Sequence, residues 1–331
     1  MARILDVTGA IWSHKTQLAL REAAALISAG KLVAIPTETV YGLAADATSD
    51  QACAHIFEAK ERPRFNPLIS HVADYATAAR HAHFDPIADR LANAFWPGPL
   101  TLVLKRKQSS PVCDLVTAGL PSVALRVPDS PVVQELSRIC DVPLAAPSAN
   151  RSGRISTTST ADVVRELGDS VDLILDAGPT RIGLESTIVA VNGDQVRLLR
   201  PGGIPTSEIE ALIGAAVMRP DETPTDQPQA PGMLASHYAP GAGLRMNATT
   251  VAAGEALLAF NDQNIGNRDA AIAVRNLSPS GNTTEAAANL FRFLRELDGH
   301  KPQMIAVETI PDDGLGEAIN DRLRRAAAPR P

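Results

Sequence analysis

The chain has 331 residues, of which 45% are hydrophobic and 21% charged, with 31 basic side chains against 37 acidic ones and a formal net charge of −6. That length favours two domains over a single core, and that charge argues against a protein that coats nucleic acid nonspecifically, though not against a local basic site. Cys53, Cys113 and Cys140 show no CxxC spacing, which excludes a recognisable zinc motif and argues against a disulfide framework.

Residues 17–29 place Leu18, Ala19, Ala23, Leu26 and Ile27 at helical spacing, with Gly30 as a C-cap. The short apolar run 32–35 has the composition of a buried strand. It should stop at Pro36, which has no N–H for a ladder. Thr37, Glu38 and Thr39 then put three polar side chains at a strand exit, where ligand sites of open α/β sheets collect. Tyr41-Gly42 is expected to turn the chain, Gly42 allowing a close backbone approach. Residues 50–60 read as a helix that Pro63 and Pro67 prevent from continuing. The stretch KERPRFNPLISH (60–71) gathers Lys60, Arg62, Arg64, Asn66 and His71, a set suited to an anion such as phosphate. A solvated basic loop is the plainer alternative.

Residues 68–72 form a short strand, 76–95 a helix ended by Trp96-Pro97-Gly98-Pro99, and 100–105 a strong strand. In the strand within 117–128, alternation sets Ala124 and Arg126 on one face, away from Val123, Leu125 and Val127. A guanidinium buried there needs a partner; a polar outer face or a structural ion pair fits the pattern too. The stretch 142–154 leaves a strand through small residues including Ala146, Ser148 and Asn150, which could cradle an anion or simply turn. A helix (161–167) and a strand (171–176) follow. Residues 183–191 then enter a strand through Glu185, Ser186 and Thr187, and 196–200 ends at Arg200 before Pro201-Gly202-Gly203. The pattern predicts a mixed α/β sheet with a cleft built from several strand ends.

After a short helix (207–214), residues 219–231 turn polar and proline-rich, as a linker does. PGMLASHYAP (231–240) then brackets Met233, His237 and Tyr238 between prolines. Strands at 255–260, 270–274 and 304–308, with helices at 284–298 and 315–325, predict a smaller Rossmann-like α/β domain. It lacks GxGxxG, which argues against dinucleotide binding. The expected division is a first domain over 1–206, a linker or lid over 207–240 and a C-terminal domain over 241–331.

No Walker, HExxH, GxSxG or kinase signature is present. Cations, hydroxyls and amides, with Glu38 and Glu185 nearby, suit electrostatic positioning of a nucleoside triphosphate and a small polar co-substrate better than nucleophilic catalysis. PTETVYGL, KERPRFNPLISH, WPGPLTLVL, VALRVP, APSANRSG, GLESTIV and LLRPG, in this order, resemble the YrdC-like threonylcarbamoyl-AMP synthases. APGMLASHYAP and GLGEAINDRLRRAA resemble the long two-domain form, so the likeness covers nearly the whole chain.

The resemblance implies a YrdC-like twisted mixed sheet and synthesis of L-threonylcarbamoyl-adenylate from L-threonine, bicarbonate or CO2, and ATP. Pyrophosphate leaves, and the product feeds threonylcarbamoyl modification of adenosine next to the anticodon of certain tRNAs. It carries the Lys-x-Arg…Ser-x-Asn signature onto Lys60, Arg62, Ser148 and Asn150. The ATP contacts fall on Arg62, Asn66, Ser122, Ser148, Ser156, Arg200 and Tyr238. The threonine contacts fall on Thr37, Thr39, His71, Arg126, Ala146 and Ser186. Mg2+ is expected with ATP and no protein metal ligand is assigned. The segment carrying Tyr238 is expected to act as a lid. Two positions depart from the family: Ser122, often Thr, and Ser236, often basic.

Expected partners are the downstream tRNA threonylcarbamoyl transferase machinery, with a weak contact to tRNA. A nonenzymatic RNA-binding module is opposed by the acidic balance and the lack of exposed-aromatic RNA motifs. Carbamoyl transfer from carbamoyl phosphate would need zinc-finger and acylphosphatase-like segments that the sequence lacks. Residues 1–9 have no signal-peptide core and no apolar run reaches a membrane span, so a soluble cytoplasmic protein is expected.

Overall fold

A computed structural model describes residues 2–63, 66–219, 236–261 and 265–329. Arg64, Met233 and nearly all of the expected linker 219–231 lie outside the described residues. In chain order the first part runs β1 Arg3–Asp6, α1 His14–Ser28, β2 Val33–Pro36, β3 Tyr41–Asp46, α2 Asp50–Ala59 and β4 Ile69–His71. It continues with α3 Tyr75–His81, α4 Pro86–Phe95, β5 Leu100–Lys105, α5 Asp114–Thr117, β6 Ser122–Arg126, α6 Pro131–Cys140 and β7 Leu144–Ala145. Then come α7 Thr160–Leu167, β8 Leu173–Asp176, β9 Thr187–Asn192, β10 Gln195–Arg200 and α8 Thr206–Ile213. The last part holds β11 Gly243–Arg245, β12 Glu255–Ala259, β13 Val274–Asn276, α9 Thr283–Gly299, β14 Met304–Val307 and α10 Gly316–Ala327.

The first ten strands form one mixed sheet in the order β1-β8-β2-β3-β7-β4-β6-β5-β9-β10. The last four form a parallel sheet in the order β11-β14-β12-β13. Helix starts follow the side chains that satisfy their free N–H groups: Ser49 accepts from Ala52, Ser130 from Val133, Ser159 from Asp162, and Asn282 from Thr284 and Glu285.

Three expectations are corrected. Tyr41-Gly42 does not turn the chain: it opens β3, antiparallel to β2 with Pro36 opposite Tyr41. The reversal lies at Thr37–Val40, where Thr37 Oγ1 donates to Val40 O at 2.6 Å and accepts from the Val40 N–H. Gly42 does serve a close approach, since a Cβ there would lie 3.2 Å from Ala146 Cβ. The expected helix 76–95 is two helices, because Pro86 disfavours helical backbone at Asp85 and Asp85 caps a new start by accepting from the Ala88 N–H. The strand expected at 270–274 begins only at Val274, behind a 3-10 turn over Arg268–Ala270 entered through Asn267 at φ 56°. Helices α5 and α6 and strands β1 and β11 carry no expectation in the sequence reading.

Strand alternation gives the central sheet two unlike faces. Leu102, Leu104, Val123, Leu125 and Val189 point into the main core, which the helices cover. Ile69, Val103, Ala124, Ile188 and Leu199 point the other way and form a small apolar floor. His71 and Arg126 share that second face with Ile69 and Ala124, two residues on along each strand.

The C-terminal sheet docks tightly on the first. Val40, Ile155 and Leu184 belong to its apolar core together with Phe291 and Ile319. Gly183 faces α9 so closely that a Cβ would sit 2.6 Å from Ala287 O. Arg295 of α9 pairs with Glu166 at 2.7 Å and with the Ile155 carbonyl.

Candidate active site

A cleft stands on the apolar floor, so it occupies a sheet face near strand ends, not the ends alone. Its lining includes Thr37, Thr39, Gly42, Arg62, His71, Arg126, Ala146, Ser148, Glu185, Ser186, Arg200, His237 and Tyr238. Of the residues expected from sequence, Lys60, Asn66, Asn150 and Ser156 lie buried behind this lining. Ser122 opens β6 on the same face as Arg126, opposite Lys105.

Arg126 is the cation the strand pattern singled out. Its guanidinium donates to Glu38 Oε1 at 2.6 Å, to Thr39 Oγ1 at 2.9 Å and to Gly98 O at 3.2 Å. The structural ion pair that the pattern left open is therefore present, and Glu38 fixes the fork from one side. Glu38 Oε2 and His71 Nδ1 are buried with no hydrogen-bond partner among the described residues. Burial, and after it the charge of Arg126, lowers the His71 pKa to about 3, so its ring is neutral.

Lys60 closes α2, and its ammonium donates to the carbonyls of Ser148, at 2.5 Å, and Asn150. Burial, reinforced by Arg62, pulls its pKa well below the ordinary lysine value. Asn150 turns inward as well, its Nδ2 donating to Arg151 O and Arg154 O at 2.8 and 2.9 Å. These contacts hold the 146–150 loop against the cleft. Arg62 donates to Pro67 O at 3.0 Å, and burial brings its pKa to about 10. Both polar side-chain atoms of Asn66 are buried with no partner among the described residues.

On the far wall Arg200 donates to Ser186 O and Oγ, and Ser186 Oγ is 2.7 Å from Thr101 Oγ1. Glu185 accepts from Ser156 Oγ on one oxygen and from Arg322 Nε, at 2.8 Å, on the other. Burial opposes ionisation of Glu185, but Arg322, Arg200 and Ser156 outweigh it and hold its pKa below the ordinary value. Tyr238 and His237 cover the cleft. The Tyr238 ring stacks on Phe291 with centroids 5.7 Å apart and lies 4.9 Å from the Arg322 guanidinium. Its backbone sits at φ 63°, a conformation that non-glycine residues hold only under constraint.

A profile of the Sua5/YciO/YrdC family, described as telomere recombination, matches residues 25–202. A second profile, threonylcarbamoyl-AMP synthase C-terminal domain, matches 204–328. The threonylcarbamoyl-AMP synthase of Pyrococcus abyssi is 39% identical over 94% of both chains. The chain belongs to the threonylcarbamoyl-AMP synthase family. The Bacillus subtilis synthase of that name is also 39% identical, over 98% of this chain and 97% of its own. The crystal structure of P. abyssi Sua5 complexed with L-threonine superposes with a TM-score of 0.88 at 37% identity, covering 98% of this chain and 97% of that one.

For a threonylcarbamoyl-AMP synthase read from sequence, the residue most clearly missed is Arg322, which enters the site's wall from the C-terminal domain. The signal was available: Arg322 falls on the stripe of α10 that buries Ala318, Ile319 and Ala326. That is the anomaly that marked Arg126 in its strand.

Proposed function

We propose that this chain joins L-threonine, bicarbonate or CO2, and ATP into L-threonylcarbamoyl-adenylate and releases pyrophosphate. The observation that carries the reading is two sets of arginines in one buried cleft. Arg126, fixed by Glu38 and Thr39 beside His71, is placed for a carboxylate. Arg62 and Arg200, with Ser148, offer charge and hydrogen bonds to phosphates.

In this reading Thr37, Thr39, His71, Arg126, Ala146 and Ser186 receive threonine, and Arg62, Asn66, Ser122, Ser148, Ser156, Arg200 and Tyr238 receive ATP. Lys60 and Asn150 act with Arg62 and Ser148 by shaping the loop. The threonine amine attacks CO2 and loses a proton, or attacks bicarbonate and releases water, giving N-carboxy-threonine in either case. The resulting carboxylate attacks the α-phosphorus in line and expels pyrophosphate. No side chain forms a covalent intermediate, so the protein positions reactants and stabilises charge. Mg2+ would arrive with ATP: Glu38 and Glu185 are already paired with Arg126 and Arg322, leaving phosphate oxygens and water as its ligands.

The product would pass to the machinery that transfers the threonylcarbamoyl group to tRNA, with at most weak tRNA contact by this chain. Among the described residues no helix is long and apolar enough to cross a membrane; a cytoplasmic location is part of the proposal. The test is pyrophosphate release from Mg2+–ATP. It should require threonine and bicarbonate together, and release unaffected by omitting threonine would reject the reading.

A further inference from the structure

Tyr238 holds its backbone at φ 63°, and a non-glycine residue keeps that conformation only where its surroundings over-determine it. Hydrogen bonds flank it on both sides. The His237 N–H donates to Arg325 O at 3.2 Å, and the Ala239 N–H donates to Gly153 O at 2.8 Å. Beyond Pro240, Asp298 takes two successive backbone groups: the Gly241 N–H on Oδ2 and the Ala242 N–H on Oδ1, each at 2.8 Å.

Gly241 and Asp298 fit each other closely. A Cβ at 241 would lie 3.1 and 3.2 Å from the two carboxylate oxygens, so a larger residue would push the carboxylate away. Asp298 also stands on the stripe of α9 that carries Phe291 and Arg295, at i, i+4 and i+7. Phe291 stacks on the Tyr238 ring, Arg295 donates to the Ile155 carbonyl of the first domain, and Asp298 holds the chain after Pro240. One helix face thus fixes Tyr238 twice, through its ring and through the backbone that follows it.

We propose that Asp298 is a positioning residue for nucleotide binding. By clamping Gly241 and Ala242 it keeps Tyr238 in its strained conformation, with the hydroxyl placed for ATP. The inference rests on the reading of Tyr238 as an ATP contact; that residue lines the cleft, and its hydroxyl is buried with no partner among the described residues. Loss of the clamp lets the Tyr238 backbone relax toward negative φ, which redirects the side chain and withdraws the hydroxyl.

The test measures ATP binding to the full chain by calorimetry, with pyrophosphate release beside it. Asp298→Ala should weaken ATP binding about fivefold or more, toward the loss expected of Tyr238→Phe, and leave threonine KM within about twofold. Gly241→Ala keeps the carboxylate but displaces it, and should have the same effect; it decides the matter should Asp298→Ala fail to fold. Asp298→Asn retains one acceptor and should fall between. In a Tyr238→Phe chain, Asp298→Ala should cost no further ATP affinity, because the hydroxyl it places is already gone. Binding does not require turnover, so a wrong assignment of the reaction would show in pyrophosphate release alone. A carboxylate that merely anchors the entry to β11 would lower Tm in Asp298→Ala with ATP affinity unchanged, or lower ATP affinity equally with and without the hydroxyl. Either result overturns the proposal, as does a Tyr238→Phe chain that binds ATP like the unaltered one.

Discussion

Arg322, from the last helix, donates through Nε to Glu185 Oε2 at 2.8 Å, with both side chains buried. The same guanidinium donates to Pro201 O at 2.9 Å and lies over the Tyr238 ring. The C-terminal domain therefore completes a wall of the cleft. Arg322→Met should leave the buried Glu185 without its ion-pair partner, supported only by the Ser156 hydrogen bond and the charge of Arg200, and destabilise by up to about 3–5 kcal/mol. Adenylate synthesis should fall at least tenfold even at temperatures where the variant stays folded. The double variant Arg322→Met, Glu185→Gln should recover stability more than activity. Thermal melting with pyrophosphate assays separates the two, and unchanged turnover in the single variant would reject this role.

Arg126→Ala removes the group assigned to the threonine carboxylate and strands Glu38. Threonine KM should rise by at least a factor of 30, corresponding to about 2 kcal/mol or more for a desolvated pair. Glu38→Gln keeps a hydrogen-bond acceptor for the fork and should raise it far less. Equal effects of the two substitutions on threonine KM would place the carboxylate elsewhere.

The ammonium of Lys60 faces loop carbonyls, which changes the outcome expected from its sequence position among phosphate-binding cations. Lys60→Met should weaken ATP and threonine use together, because Ser148 and Ala146 lie on one loop. Calorimetry showing loss of ATP binding alone, with threonine binding intact, would return Lys60 to a purely phosphate-binding role.

Much of this site was legible because its residues break local rules. Arg126 stands in an apolar strand, and Thr37, Glu38 and Thr39 crowd a strand exit. Other features depend on distant pairing. That Tyr41 and Gly42 begin a strand follows from their pairing with β2, and the backbone contact at Ser148 follows from β7 lying between β3 and β4. Lys60 shows the limit from another side: its residue type specifies a cation, and only the fold decides whether that cation meets phosphate or carbonyl oxygen. Helix α6 is masked in the sequence because Pro131 looks like a loop residue until Ser130 is seen to cap it.

The two site histidines should contribute to the acid limit of stability. Burial lowers both His71 and His237 to about 3, from an ordinary value of 6.5. The unfolded chain therefore takes up these protons first. The stability linked to the neutral rings is complete above about pH 6.5 and is lost as pH falls from there toward 3, at about 1.4 kcal/mol per pH unit for each histidine. Denaturant unfolding at pH 7.5 and pH 5 should show a smaller drop for His71→Asn, His237→Asn than for the unaltered chain. Equal drops would mean that carboxylates alone govern the acid limb.

Tyr238 decides whether the covering segment is a lid. The cleft that it lines offers water-sized space of about 40 Å3, room for only a few waters, so a nucleotide enters only if part of this lining moves, and His237 and Tyr238 are the part that the lid reading would move. The Tyr238 hydroxyl is buried with no partner among the described residues, which leaves it for a ligand, while its ring is anchored on Phe291. Those two functions separate by substitution. Tyr238→Phe keeps the stack and removes the hydroxyl: ATP KM should rise about 5- to 30-fold, the effect of roughly 1–2 kcal/mol from a lost hydrogen bond, with little change in Tm. Tyr238→Ala removes the ring as well and should lower Tm clearly, since truncating a buried aromatic costs about 3–5 kcal/mol. Nucleotide should also raise the Tm of the unaltered chain more than that of Tyr238→Phe, by mass action on the closed form. If Tyr238→Phe matches the unaltered chain in both ATP KM and nucleotide-dependent Tm, the tyrosine is a packing residue and the lid does not use it to grip the nucleotide.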